Sequence, residues 1–375
     1  MRFHILGSGH FGNMIAHYLR KHNHQVTLLF RTPAALTHFE KRKRKITVMR
    51  DNECDIEQSY GYDTEILRGY DKDELVDQYF HYGSYSSNSN IQRLIVTTKA
   101  HEVNRSFQRV FYRLPPTSTV IIISRGMGIY EELMENFFSK NEKLRPNILL
   151  GASTHLCYDI KNVDSPFDIF HSGVGGIDIG VIPRRDEREK EILKNSEILE
   201  GSSLGTTIKA LTQISELQVR CINVLSLQNR LLENLVINAC INPLTTIFNM
   251  RNGGLLFNPG ADRVLRALCN ESAQVMREHR EYLGMRPSNR FGPGRLVDAI
   301  QQICQETASR KSDMLKDAKK RYIMEIDYLN GYLVRLGKIY GVPTPLHQLV
   351  IDMIYLKHKL LSGPRKNLEE KYLTI

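Results

Sequence analysis

Long apolar runs are missing from the 375 residues: no stretch approaches the roughly 18 consecutive apolar residues that a membrane-crossing helix requires, so none is expected. Paired cysteines are missing as well. The six present (Cys54, Cys157, Cys221, Cys240, Cys269, Cys304) are scattered, with no CxxC and no Cys/His pairing at ligand spacing. That pattern indicates neither a disulfide framework nor a structural metal site. With 25 Gly and 13 Pro, the chain is neither collagen-like nor low in complexity. The opening Met1-Arg2-Phe3-His4-Ile5-Leu6 runs straight into a strand-like segment, leaving no room for a charged region followed by a long apolar one. A secretory leader is therefore not expected. No arginine-rich, acid-poor presequence is visible either. Cytoplasm is the expected compartment, with the mitochondrion as alternative because internal import signals escape such a reading.

Acidic residues are the minority charge. The 51 Lys and Arg against 41 Asp and Glu leave a net +10, which suits an anionic ligand, a nucleic acid or an acidic surface. Lys41-Arg42-Lys43-Arg44-Lys45 is five consecutive cations, and Pro183-Arg184-Arg185 with Arg188 and Lys190 forms a second basic stretch. Solvated surface is the plain reading of such runs. At 41% hydrophobic and 25% charged the composition is that of a folded protein, and the length calls for two domains.

Short β-branched runs alternate with helical patterns through the first third, as in an α/β sheet with parallel strands. Strands are expected at 3–6, 26–30, 93–97, 119–124, 147–151 and 174–182, and a helix at 13–21. Residues 51–90, rich in Asp, Glu, Tyr, Ser and Asn, break the rhythm and read as an insertion or long loop, partly disordered. After about Thr206 the pattern changes to long helical repeats, clearest at 227–241, 262–283, 295–306 and 325–340. The expectation is a Rossmann-type α/β dinucleotide-binding domain over 1–205, an all-α domain over 206–361 and a polar tail over 362–375.

Leu6-Gly7-Ser8-Gly9-His10-Phe11-Gly12 is G-x-G-x-x-G, following a strand and opening a helix. Gly7 permits the tight turn, Gly9 lets the backbone approach a pyrophosphate, and Gly12 allows close helix packing, while the helix N-terminus supplies amide donors. An acidic residue ending the second strand would accept from the ribose 2′-hydroxyl of NAD. The chain has Arg31 there, whose guanidinium suits a 2′-phosphate, so NADPH is the expected cofactor.

These features, with Val96-Thr97-Thr98-Lys99-Ala100, Gly126-Met127-Gly128, Gly151 through His155, Asn238 with Ile241-Asn242-Pro243-Leu244-Thr245, Asn252-Gly253, Met314-Leu315-Lys316-Asp317 and Glu325 through Gly331, resemble the ketopantoate reductase family. The match runs from Met1 to about His347. The resemblance implies a Rossmann domain joined to a helical domain, with NADPH and substrate bound in the cleft between them and 2-dehydropantoate reduced to pantoate. It carries over Lys99 and Glu325 as catalytic-site groups and Asn238, Asn242 and Asn252 as substrate contacts. Gly7, Ser8, Gly9, His10, Phe11, Gly12, Arg31, Lys99, Cys157 and Glu325 are carried over on the cofactor side. His155 would line the cofactor cleft or sit as a satisfied core histidine.

Three positions depart from the family's pattern. The catalytic lysine is Asn234 here, which can donate a hydrogen bond but no proton. The asparagine before Gly-Met-Gly is Arg125, placed by the resemblance at both nicotinamide and substrate. A serine on the substrate carboxylate is Asp313, which would set like charges together unless a cation such as Arg125 lies between.

Two readings follow. The first is an NADPH-dependent reductase of 2-dehydropantoate or a related 2-oxoacid, its competence weakened by Asn234. The second is a catalytically inactive family member that binds a macromolecule. Fungal mitochondrial translational activators of cytochrome b mRNA resemble degenerate ketopantoate reductases, so RNA or the mitoribosome would be the partner. A homodimer is compatible with the sequence, with 206–361 as the helical substrate and dimerisation domain, and no metal is expected.

Overall fold

The computed structural model describes residues 1–50, 55–67, 89–160, 165–184, 201–282 and 288–362. Most of the expected insertion (68–88), the second basic stretch from Arg185 on, Cys54 and the tail beyond 362 lie outside the described residues. The chain divides into two units: Met1–Arg125 with Ile129–Arg230, and Gly126–Gly128 with Leu231–Ile375. Among the described residues no helix is long and apolar enough to cross a membrane.

The first unit runs β1 (Arg2–Leu6), α1 (His10–Lys21), β2 (Gln25–Phe30), α2 (Pro33–Lys41), β3 (Ile46–Met49), β4 (Ile56–Ser59), β5 (Asp63–Ile66), β6 (Arg93–Val96), α3 (Ala100–Gln108), β7 (Thr119–Ile122), α4 (Ile129–Leu133), β8 (Asn147–Ser153), β9 (Leu156–Asp159), β10 (Asp168–Gly173), β11 (Ile177–Ile182), α5 (Ser203–Thr212) and β12 (Val219–Cys221). Eight strands form one sheet in the order β12-β11-β8-β7-β6-β1-β2-β5. All its pairs are parallel except β8 with β11. Phe3, Ile5 and Leu6 of β1 are fully buried, as a central parallel strand covered on both faces requires. The chain leaves β1 for β2 on one side and returns to β6 on the other. In an open α/β sheet that reversal is where a crevice forms at the strands' carboxyl ends.

A second sheet, β4-β3-β10-β9, packs against α1. Residues 55–67 are thus not a loop. β4 pairs antiparallel with β3, and β5 closes the main sheet beside β2. Their polar sequence reflects edge positions: Asp63 pairs with Arg2 at 2.5 Å, and Glu65 takes Arg113 at 2.7 Å. Charge on an edge strand discourages pairing with other chains.

The division at Arg230/Leu231 falls inside α6 (Val224–Ile247), later than the boundary expected at 205. The reason is β12, which pairs parallel with β11, and Asp178, which binds both Arg220 (2.8 Å) and Arg230 (2.5 Å). The second unit continues with α7 (Pro259–Tyr282), α8 (Pro293–Glu306), α9 (Asp313–Lys320), α10 (Asn330–Tyr340) and α11 (Pro345–Ser362). Its core includes Val236, Cys240, Cys269, Leu296, Ile300, Cys304, Leu333 and Ile354.

The helix expected over 325–340 is split. Ile326–Tyr328 is a 3-10 turn, and Leu329 (φ −109°, ψ −96°) interrupts it before α10. The break delivers Asn330 into the core, where Nδ2 donates to Ala239 O and to His347 Nδ1, both at 3.0 Å. His347 Nε2 faces Ser272 Oγ (2.9 Å) and Leu268 O (3.3 Å). A carbonyl only accepts, so the ring carries its hydrogen on Nε2 and is neutral. Burial lowers the pKa of His347 to about 4. Four helices, α6, α7, α10 and α11, are thereby pinned by one polar cluster.

Candidate active site

The loop after β1 is shaped by sterics. Gly7 has φ +121°, and a Cβ there would lie 2.7 Å from Thr97 Oγ1 and from Thr98 N. At Gly12 a Cβ would lie 2.0 Å from Gly7 O, a clash with backbone. Thr97 Oγ1 donates to Gly7 O at 2.9 Å, so the loop is clasped to the end of β6. Asn13 Nδ2 holds it from below through Ser8 O (2.9 Å) and Pro166 O (2.8 Å). Gly9 differs: nothing lies within 4 Å of its Cβ direction. It precedes α1 with no side-chain cap, and the helix has no acidic residue in its first turn. Uncapped amides beneath an open backbone surface are what an anionic pyrophosphate needs. Ser8, His10 and Phe11 are half-buried around this opening.

Arg31 follows β2, Lys99 caps α3 after β6, and exposed Arg125 follows β7. With the glycine loop they stand at the carboxyl ends of four neighbouring strands. Arg31 is not idle: its Nη1 pairs with Glu102 Oε2 in the first turn of α3. Cys157 Sγ lies 3.1 Å from Met14 Sδ, a packing contact between β9 and α1.

Of the two readings of His155, the structure shows the core histidine, 3% exposed. Its Nε2 donates to Leu217 O (3.0 Å), which makes Nδ1 the acceptor from His171 Nε2 (3.0 Å). Tyr18 OH then donates to His171 Nδ1 (2.9 Å) and Arg50 Nε to Tyr18 OH (3.1 Å). Burial lowers the His155 pKa, which preserves this neutral order.

In the second unit Asn234, Asn238 and Asn242 stand four residues apart on α6, half-buried along one face. Asn238 Nδ2 donates to Asn234 O at 2.8 Å. Beyond them Thr245 Oγ1 donates to Ser312 Oγ (2.7 Å), and Ser312 caps α9 by accepting from Leu315 N. That lock brings Asp313 to the end of the asparagine row. A cation beside Asp313 is Lys316, at 3.0 Å, one helical turn on.

Asn252 is buried, its Nδ2 on Thr307 Oγ1 (2.9 Å) and its amide on Arg310 O (2.9 Å), while its Oδ1 has no hydrogen-bond partner. Glu325 precedes the 3-10 turn onto which Gly126–Gly128 docks: Met127 N donates to Tyr328 O at 2.9 Å. Gly126 (φ +91°) has no room for a side chain, since a Cβ would lie 2.7 Å from Tyr328 Cβ. Among the described residues no group of three or more His, Cys, Asp and Glu is placed to hold a metal ion.

Sequence reasoning missed Glu102, Lys316 and the Thr97 clasp. Lys316 was open to discovery, being three residues from Asp313 on a helix. Nothing in the sequence joins Glu102 to Arg31.

The family model described as ketopantoate reductase PanE/ApbA matches residues 3–184, and its C-terminal counterpart matches 226–358. A 2-dehydropantoate 2-reductase of Saccharomyces cerevisiae is 26% identical over 353 residues, spanning 89% of this chain and 87% of that protein. A probable 2-dehydropantoate 2-reductase of Schizosaccharomyces pombe is 24% identical over 369 residues, 95% of each chain. Among solved structures, D-mandelate dehydrogenase with NADH and anilino(oxo)acetate has the same fold at a TM-score of 0.72 and 17% identity, covering 97% of this chain and 100% of that one. With both family models matched in order across the two units, this chain belongs to the ketopantoate reductase PanE/ApbA family.

Proposed function

We propose that the chain is an NADPH-dependent reductase of 2-dehydropantoate, or of a related 2-oxoacid, acting in the cytoplasm. The observation that carries the proposal is the open Gly9 backbone over the uncapped N-terminus of α1, with Arg31 at the next strand end. Bound NADPH would supply hydride to the ketone carbon. Gly7, Gly9 and Gly12 with the α1 amides would hold the pyrophosphate, flanked by Ser8, His10 and Phe11, and Arg31 would pair with the 2′-phosphate. Lys99, Arg125, Cys157 and Glu325 complete the proposed cofactor side.

Asn238, Asn242 and Asn252 are the proposed substrate contacts. Lys316 offsets the charge of Asp313, so a substrate carboxylate nearby meets an ion pair and not a bare anion. Asn234 donates a hydrogen bond to the developing alkoxide but supplies no proton, a deficit of about 10²–10⁴ in rate.

The second reading, an inactive relative that binds a macromolecule such as cytochrome b mRNA or the mitoribosome in the mitochondrion, is favoured by Asn234. It draws less from the five-cation run. Arg42 pairs with Asp168 at 2.5 Å and Arg44 with Glu40 at 2.8 Å, so the run is not five free charges.

The test is NADPH oxidation with 2-dehydropantoate, followed by absorbance, with NADPH binding measured in the same sample. Slow turnover that disappears in Glu325→Gln is expected; tight binding with no turnover would transfer support to the second reading.

Cofactor choice has its own readout. A 2′-phosphate must displace Glu102 from Arg31, so Glu102→Gln is expected to tighten NADPH binding about 2- to 5-fold while leaving NADH affinity unchanged. Equal changes for both cofactors in a fluorescence titration would show that the pair does not compete with the phosphate.

A further inference from the structure

Helix and strand periodicity bring polar side chains together in the first unit. His17 and Lys21, four residues apart, share a face of α1, and Glu57 and Ser59, two apart, share a face of β4, which packs on that helix. His17 Nδ1 lies 2.8 Å from Ser59 Oγ, and its Nε2 lies 3.2 Å from Glu57 Oε2. Lys21 Nζ holds Glu57 Oε1 at 2.6 Å, and Arg50 Nη2 lies 3.5 Å from Oε2. Against a burial that favours the neutral acid, the hydrogen bonds from Lys21 and His17 keep the Glu57 carboxyl below its usual range, so it only accepts. His17 Nε2 therefore donates to Glu57, and burial lowers the pKa of the ring and keeps it neutral. That leaves Nδ1 as an acceptor for the Ser59 hydroxyl hydrogen. Tyr62 OH in turn donates to Ser59 Oγ, and burial raises its pKa so that it keeps its proton.

A serine hydroxyl is thus aimed at a neutral base whose other nitrogen is anchored on a carboxylate, the order that activates a nucleophile. Either imidazole nitrogen can take the proton, since the acid–base logic is the same for both. A cluster that only fastened β4 to α1 would need no opening. Here His17, Glu57 and Ser59 line a hollow of about 410 Å³, together with Arg20, Lys21 and Tyr60. That is room for a small ligand. Arg20 gives Nε to Tyr60 O and Nη1 to His24 O, both at 2.9 Å, and no carboxylate pairs with it among the described residues. Its charge is therefore available to an anionic group in the hollow.

We infer that Ser59, His17 and Glu57 form a second, hydrolytic site that cleaves small carboxylic esters bearing a negative charge. Ser59 Oγ attacks the acyl carbon as His17 Nδ1 takes its proton, and the carbonyl oxygen becomes an oxyanion to which Tyr62 OH is placed to donate. When the ester C–O bond breaks, the leaving oxygen takes the proton from His17 and Ser59 is left acylated. Water then attacks the acyl carbon, giving its proton to His17, and Ser59 recovers a hydrogen as the carboxylic acid departs. The site lies at the opposite end of α1 from the glycine loop and uses none of the residues assigned to cofactor or 2-oxoacid.

The test uses the full chain without nicotinamide, so its outcome is separate from that of the reductase assay. Release of nitrophenolate from p-nitrophenyl acetate, and from its analogue with a ring carboxylate, is followed by absorbance. Ser59→Ala and His17→Gln are each expected to lower the protein-dependent rate about 10²-fold or more, with circular dichroism unchanged. Glu57 is the positioning residue, and Glu57→Gln should lower kcat with KM unchanged. Arg20→Gln should slow the carboxylate analogue about 10-fold and leave p-nitrophenyl acetate unaffected. A fluorophosphonate applied to the wild type is expected to add its mass to the peptide holding Ser59, a result that stands even where a variant unfolds. A label found elsewhere or nowhere, or an ester rate that Ser59→Ala leaves intact, would overturn the inference. Equal effects of Arg20→Gln on both esters would overturn the charge assigned to the substrate.

Discussion

Asn234→Lys is expected to raise the rate of NADPH-dependent 2-dehydropantoate reduction about 10²- to 10⁴-fold, with NADPH affinity unchanged. The side chain leaves α6 one turn before Asn238, on the same half-buried face. What Asn238 uses at residue 234 is the backbone carbonyl, which a lysine keeps. The nearest acidic neighbour in sequence, Glu233, is committed to Arg290 at 2.6 Å and to Arg295, so it does not capture the new ammonium. The substitution thus adds a proton source without disturbing the row. Steady-state kinetics and a binding titration on the same preparation decide it. Unaltered zero turnover with NADPH still bound would mean that Arg125 and Asp313 also block the chemistry, and would favour the macromolecule-binding reading.

Acidification from pH 7 to 4 is expected to remove about 3 kcal/mol of stability through His347 alone. Burial holds its folded pKa at about 4, against 6.5 for an unperturbed ring. Below pH 6.5 the unfolded chain gains a proton that the folded chain refuses, so the contribution is complete above pH 6.5 and is lost as the pH falls towards 4. Burial also lowers His4 to about 4, with the nearby Arg113 and Arg2 adding to it against the opposing pull of Glu65, so it acts in the same direction. His347→Gln should lower stability at pH 7, because Asn330 loses its acceptor, and should flatten the decline in acid. Denaturant midpoints at pH 7 and pH 4.5, followed by circular dichroism, give the comparison. Parallel pH dependences for wild type and variant would exclude His347 as the titrating group.

The parts legible in the sequence were those with a local signature. β1, β2, β6, β7 and β8 are buried on both faces and read as continuous apolar runs, and the glycine loop announces its own geometry. In the small sheet β3, β4 and β9 were not legible because they have four residues each, too short for an alternating pattern to stand out, and six-residue β10 was missed because Asp, His, Ser and Gly leave it only two apolar residues. β12 escaped because three residues carry no period at all, and missing it placed the boundary too early. At the site, residue identities could be read, but their partners could not. Arg31 with Glu102 and His155 with Leu217 join segments far apart in sequence, and only the sheet order brings them together.

Gly126–Gly128 belongs to the helical unit although both flanking segments belong to the other. The polypeptide therefore crosses between units three times, so neither unit is a single continuous piece of sequence. An expression product beginning at Leu231 would encode every helix from the rest of α6 onward, yet leave Tyr328 O without the Met127 amide and the surface under Gly126 bare. Swapping modules between relatives by a single splice within α6 would instead seat one parent's Gly126–Gly128 on the other parent's 3-10 turn. A working chimera needs two grafts, the long carboxyl-terminal segment and a three-residue patch taken from the same parent.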